Sequence, residues 1–337
     1  MEELDKYYEV CLDLTKEAGQ VIREAIAKTK QIQTKSSDID LVTETDQQVE
    51  KLLIGGLQKT FPDHKFIGEE STAAGQKCVL TDDPTWIIDP VDGTMNFVHG
   101  LPLVAISIGL LIKKNPVIGI IYNPILEQLY TARLGQGAFL NGNPIRVSGE
   151  KELSKALVCS EVGTSTDPLK VQVVLNNLTK LVGNVHGVRL YGTAACALGM
   201  VACGGADAFC HMGLHCWDLA AGQLIVEEAG GCLRDYEGLK KNLQQLHAGL
   251  AGIRALGSAA LNMASVAAGG TDSYFEFGLH AWDMAAGDLI VREAGGIVTD
   301  TTGGPLDLMN RRVICASSEE LAKKLSEILE QFEMERD

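Results

Sequence analysis

Trp86-Ile87-Ile88-Asp89-Pro90-Val91-Asp92-Gly93-Thr94-Met95-Asn96-Phe97 joins an apolar run directly to two closely spaced carboxylates. Thr85 to Ile88 reads as a strand that stops at Asp89-Pro90, because proline lacks the N–H a ladder needs. Two carboxylates this close repel each other unless a cation lies between them. Gly93 permits a tight bend. From Thr94 the chain can open a helix whose free N–H groups suit a phosphate. Alone, Asp-Pro-x-Asp-Gly reads as a solvated turn. The buried lead-in, with acidic clusters elsewhere, points instead to metal-assisted phosphoryl transfer.

Those other clusters are Gly68-Glu69-Glu70-Ser71 and Trp217-Asp218, the latter duplicated as Trp282-Asp283. Around them, residues 4–28 carry Cys11, Leu14, Ala18, Val21 and Ile22 at helical spacing. A second helix is expected over 46–59, ending near Pro62. Strand-like runs follow at 103–112, 117–122, 128–133 and 137–147, the last holding the hairpin signal Asn141-Gly142. Ser317-Ser318-Glu319-Glu320 resembles a capping box that opens a final helix. Helices and strands alternate in blocks, which predicts a layered α/β (α+β) sandwich.

Compared with itself at an offset of 65 residues, the chain repeats. Gly213-Leu214-His215-Cys216-Trp217-Asp218 matches Gly278-Leu279-His280-Ala281-Trp282-Asp283, and Glu228-Ala229-Gly230-Gly231 matches Glu293-Ala294-Gly295-Gly296. Four parts follow: a metal- and phosphate-binding part over 1–170, copies over 171–235 and 236–300, and a C-terminal strand and helix over 301–337. Two units are too few for a solenoid, so the surplus copy reads as a tandem duplication inside one domain. Cys196, Cys203, Cys210, Cys216 and Cys232 of the first copy face Leu261, Ala268, Phe275, Ala281 and Ile297 of the second. Such swaps mark packing positions.

The 337 residues are 46% hydrophobic and carry a net charge of −15, which argues against nucleic acid as a partner. The N-terminus lacks the basic and apolar regions of a secretory signal. The longest apolar run, Leu101 to Ile112, is too short to span a bilayer. No cysteine spacing suits zinc, so free buried thiols and a cytoplasmic setting are expected.

On Asp89-Pro90-Val91-Asp92-Gly93-Thr94 and on Trp282-Asp283-Met284-Ala285-Ala286-Gly287 through Gly296, the chain resembles the inositol monophosphatase family. Asp40 to Asp46, Gly68 to Ser71 and Gly303 to Leu308 add matches in the family's order. The resemblance implies an αβαβα sandwich of the sugar-phosphatase type, usually dimeric, with Mg2+-dependent hydrolysis of inositol monophosphate and inhibition by lithium. It implies metal ligation by Glu69, Asp89, Asp92, the Val91 carbonyl and the Trp-Asp aspartate. Asp46 and Thr94 would orient the attacking water, and the Gly93, Thr94 and Met95 backbone would hold phosphate. Lys35 reads equally as a mobile-loop residue near the metal or a solvated surface lysine. His215 and His280 are expected to support the site by hydrogen bonding rather than to bind metal.

The family needs one Trp-Asp aspartate, and both Asp218 and Asp283 are offered. Seven positions earlier, where the family contacts an inositol hydroxyl, the first copy has His211 and the second Glu276. The first copy keeps Gly192-Thr193-Ala194 in family form, and the second has Gly257-Ser258-Ala259. Glu276 and the direct run into Thr301-Thr302-Gly303-Gly304-Pro305 favour the second copy. The other readings are a relative acting on a sugar bisphosphate or phosphoadenosine phosphate, and an inactive regulatory form disrupted by the duplication. No nucleic-acid or membrane partner is expected.

Overall fold

The computed structural model describes residues 2–28, 32–34, 41–163, 167–233, 258–277, 279–329 and 331. Lys35 and Gly257 lie outside these residues. The chain forms two compact units, one of Met1–Val98 with Pro102–Arg254, the other of His99–Leu101 with Ala255–Asp337.

In the first unit the elements run α1 (Glu2–Ala25), β1 (Ile32–Thr34), β2 (Leu41–Thr43), α2 (Glu44–Thr60), β3 (Lys65–Gly68), α3 (Glu69–Ala73), β4 (Thr85–Asp92) and α4 (Thr94–His99). They continue with β5 (Ala105–Ile112), β6 (Asn115–Asn123), β7 (Gln128–Arg133), β8 (Ala138–Leu140), β9 (Asn143–Pro144), β10 (Leu157–Ser160), α5 (Pro168–Leu181), β11 (Gly187–Arg189), α6 (Ala194–Ala202), β12 (Ala208–Cys210) and α7 (Cys216–Glu228).

A seven-stranded sheet in the order β3-β4-β5-β6-β7-β8-β9 forms the frame. The first pair is parallel and the others antiparallel. One apolar cluster joins Cys11, Ala18 and Ile22 of α1 and Val49, Leu53 and Leu57 of α2 to Trp86, Ile88, Ile106 and Ile108 of the sheet. A second joins Ile121 and Tyr130 of the sheet to α6, α7 and Cys159 of the smaller sheet β11-β10-β12. Layers thus alternate helix, sheet, helix, sheet.

β4 is buried along its whole length. It does not stop at Asp89 as expected. Pairing with β5 resumes at Asp92↔Ala105 after a register shift between Asp89 and Asp92. Pro90 has no N–H to give, so an irregularity there costs the ladder little, and it re-aims both carboxylates. α7 lies close against the same sheet because Gly109 and Gly119 have no side chains. A Cβ on Gly109 would lie 2.7 Å from the Ala220 Cβ, and one on Gly119 would lie 2.5 Å from the Ala221 carbonyl oxygen.

The second unit holds α8 (Ala259–Ala267), β13 (Ser273–Phe277), α9 (Ala281–Glu293), β14 (Ile297–Thr299), β15 (Arg312–Ala316) and α10 (Glu319–Ile328). Its antiparallel sheet runs β13-β15-β14. Met263, Val266, Met284, Val291, Val298 and Val313 make its core. Ser318 caps α10 by accepting from the Leu321 N–H, a simple N-cap in place of the expected capping box, since Leu321 and not Glu320 stands at the third helical position.

The repeat is also a repeat of structure. α6 and α8, and α7 and α9, start and stop 65 residues apart, and each α7-type helix opens with a stacked His–Trp pair. Burial separates the copies. Leu224 and Ile225 of α7 are 1% and 0% exposed, whereas Leu289 and Ile290 at the same places in α9 are 62% and 50% exposed. The first copy thus places its apolar face where apolar burial stabilises most. The cysteines need a correction as well. All nine are free, and Cys196 is buried, but Cys203 and Cys210 are half-buried and Cys78, Cys216 and Cys232 are exposed.

Candidate active site

β4 delivers Asp89 and Asp92, and α7 delivers Asp218. One carboxylate oxygen of each lies within 4.8 Å of the other two. Asp89 is 2% exposed. Burial drives its carboxyl well above the usual carboxylate range, and the negative charges of Glu69, Asp92 and Asp218 push the same way. Burial also raises Asp92, to about 6, although hydrogen bonds from Thr193 and Ala195 pull it down. Acids this crowded and this poorly solvated are a poor arrangement for a protein by itself, and a cation resolves it. Oxygen donors of this kind suit Mg2+.

Each ligand candidate is held by its backbone neighbourhood. The Val91 N–H donates to Asp89 Oδ1 at 3.1 Å. Asp92 Oδ2 accepts from the Ala195 N–H at 2.6 Å and from the Thr193 hydroxyl, so the start of α6 fixes it. Asp218 is the third residue of α7 and accepts from the His215 N–H at 2.6 Å, closing a capping box. Ser107 on β5 donates to the Trp217 carbonyl at 3.1 Å, which ties that helix start to the sheet.

Thr94 sits 3.2 Å from Asp46 Oδ1 and 3.1 Å from the Val91 carbonyl. Asp46 is buried and also accepts from the Thr43 N–H at 3.0 Å in the capping box of α2. Gly93 has φ +90°, and a Cβ there would meet the Leu103 carbonyl at 3.0 Å and the Thr193 Cβ at 3.2 Å. The Gly93–Met95 turn and Gly192-Thr193-Ala194 therefore share one place. Glu69 opens the short α3, against Asp89.

Asp283 and Glu276, favoured from sequence, belong to the other unit. Asp283 there accepts from the His280 N–H at 2.9 Å, and Glu276 accepts from the Tyr274 hydroxyl. Ser258 caps α8, and Ala259 is buried in that unit's core. Among the described residues, the carboxylate grouped with Asp89 and Asp92 is Asp218, of the first copy. Packing brings it there, since α7 presses its apolar face on the large sheet.

Sequence reading missed two buried acids. Glu50 of α2 accepts the Glu70 and Ser71 N–H groups at 2.8 and 2.9 Å, capping the start of α3 beside Glu69. Glu161, just past β10, accepts the Tyr191 and Gly192 N–H groups at 2.7 and 2.9 Å. The signal for Glu50 was present: it follows Val49 on the inward side of a helix, where an acid needs a reason.

Carboxylates converging from a sheet and a helix start, beside a glycine turn and a threonine–aspartate pair, define a divalent-cation centre built to meet an anionic oxygen ligand. The chain belongs to the inositol monophosphatase family, whose profile matches residues 3–246 and again residues 237–333. Inositol monophosphatase 2 of Homo sapiens is 40% identical over 99% of this chain and 93% of that protein. Inositol monophosphatase 1 of Bos taurus is 40% identical over 98% of both. Among solved structures, extragenic suppressor protein suhB from Bartonella henselae is similar with a TM-score of 0.59, 27% identity, and coverage of 95% of this chain and 96% of that one.

Proposed function

We propose that this chain hydrolyses myo-inositol monophosphate to inositol and phosphate in a magnesium-dependent reaction. The convergence of Asp89, Asp92 and Asp218 at the end of β4 carries the reading, and family membership supports it. Bound magnesium supplies Lewis-acid stabilisation of the phosphate oxygens and lowers the pKa of water.

The chain's own residues then have separable tasks. Asp89, Asp92, Asp218, Glu69 and the Val91 carbonyl hold the metal. A threonine hydroxyl has one proton to give. When Thr94 gives it to Asp46, its lone pairs can accept a proton from the attacking water and aim the water's oxygen at phosphorus. Water's oxygen forms the new P–O bond as its proton passes through Thr94 to Asp46, the bond to the inositol oxygen breaks, and that oxygen takes a proton from solvent and leaves as the alcohol. The backbone of Gly93, Thr94 and Met95 faces the phosphate oxygens in this reading.

His211 favours a wider substrate range. It occupies the first copy's place for the hydroxyl-contacting acid, and burial, then Lys170, lower its pKa to about 4, so it is neutral near pH 7. A neutral imidazole discriminates less firmly for vicinal hydroxyls than a carboxylate. No helix among the described residues is long and apolar enough to cross a membrane. A cytoplasmic homodimer completes the proposal. Phosphate release from inositol 1-phosphate by the intact chain, with and without magnesium, tests it alongside a sugar bisphosphate. Release that ignores magnesium would overturn it.

A further inference from the structure

The Cys78 and Cys216 sulfurs lie 4.0 Å apart although 138 residues separate them. Both are exposed and free, so neither is a packing cysteine. Cys78 stands in the irregular stretch between α3 and β4, and Cys216 is the first residue of α7, two before Asp218. A disulfide needs the sulfurs at about 2.05 Å, and a stretch outside regular structure can supply that movement. A metal-binding role lacks a third ligand: among the described residues, the one grouping of metal-ligating side chains is Asp89, Asp92 and Asp218. The second copy has Ala281 in place of Cys216, so the pairing belongs to the first copy alone.

We propose that Cys78 and Cys216 form a reversible disulfide that ties the 74–84 segment to the start of α7. With a hydroperoxide as oxidant, one sulfur attacks the peroxide O–O bond and becomes a sulfenic acid, while the departing oxygen leaves as water or an alcohol. The other sulfur then attacks that sulfur, the S–S bond forms and a second water leaves. The two electrons lost by the pair reduce the peroxide, and the two thiol protons end in the products. A dithiol reductant reverses the link. The link constrains the helix start that presents Asp218, so it shifts the magnesium requirement; this consequence rests on the proposed role of Asp218.

The intact chain is treated with hydrogen peroxide, digested without reduction and mapped by mass spectrometry, beside Cys78→Ser treated identically. The expected result is a linked peptide pair carrying Cys78 and Cys216, lost on adding dithiothreitol and absent in the variant. Half-saturating magnesium is expected to rise several-fold in the oxidised chain and to stay unchanged in treated Cys78→Ser. Separate oxidation of the two sulfurs to sulfinic acids without a link would overturn the pairing. A link with an unchanged magnesium requirement would overturn the coupling to α7. Neither result depends on which phosphate ester the unoxidised chain prefers.

Discussion

Asp92 answers to two demands at once: it is held by Thr193 and Ala195 at the start of α6, and it faces Asp89 and Asp218. Its raised pKa fixes a sign. In the magnesium-free protein, the stability this group contributes is fully present below its ordinary value of 3.8 and is lost as pH rises through about 6. Magnesium binds the ionised form, so it should raise Tm more at pH 7 than at pH 5. Thermal melts with chelator and with magnesium check this, and equal increments at both pH values would refute it. Asp89→Asn should lower magnesium-dependent turnover by roughly 10³-fold, the loss of several kcal/mol of charge stabilisation. Steady-state kinetics on folded protein measures it. Gly93→Ala should cost about 1–3 kcal/mol for its strained φ, read as a lowered denaturation midpoint, along with lost phosphate affinity. Asp89 and Asp92 were legible in the sequence because they close a buried apolar strand, whereas Asp46 and Thr94 entered only with the family resemblance. Glu161 was not legible, and for Glu50 only its inward place on α2 was, because each acts on N–H groups far along the chain, a pairing visible only after folding.

At the scale of elements, α7 and α9 make the comparison. They share pattern, capping box and stacked His–Trp pair, yet only α7 buries its Leu-Ile pair. Ile225→Ala should destabilise by about 2–5 kcal/mol, while Ile290→Ala should stay within about 0.5 kcal/mol. Chemical denaturation of both variants reads the difference, and equal losses would contradict the assignment of α7 to the large sheet. Helix positions, hairpin turns and the serine that starts the final helix followed from spacing and capping residues. The end of β4 did not. A strand was expected to stop at Pro90, but β5 supplies a partner for Asp92, and a bulge tolerates a missing N–H.

For the whole molecule, the duplication was plain in the sequence, but which copy serves the site was not. Sequence weighs Glu276 against His211 and finds the carboxylate better suited to a sugar alcohol. It carries no measure of which helix reaches Gly109 and Gly119. Deleting residues 236–300 should leave a chain that keeps Asp218 and hydrolyses inositol 1-phosphate with magnesium; an insoluble or inactive product would show that the second copy is needed. Magnesium titration calorimetry on the intact chain, Asp218→Asn and Asp283→Asn is the decisive comparison. Saturable binding is predicted for the intact chain and for Asp283→Asn, with affinity at least about tenfold weaker in Asp218→Asn. Folded protein that binds no magnesium, or binds it equally in all three forms, would contradict the acidic cluster as the metal centre.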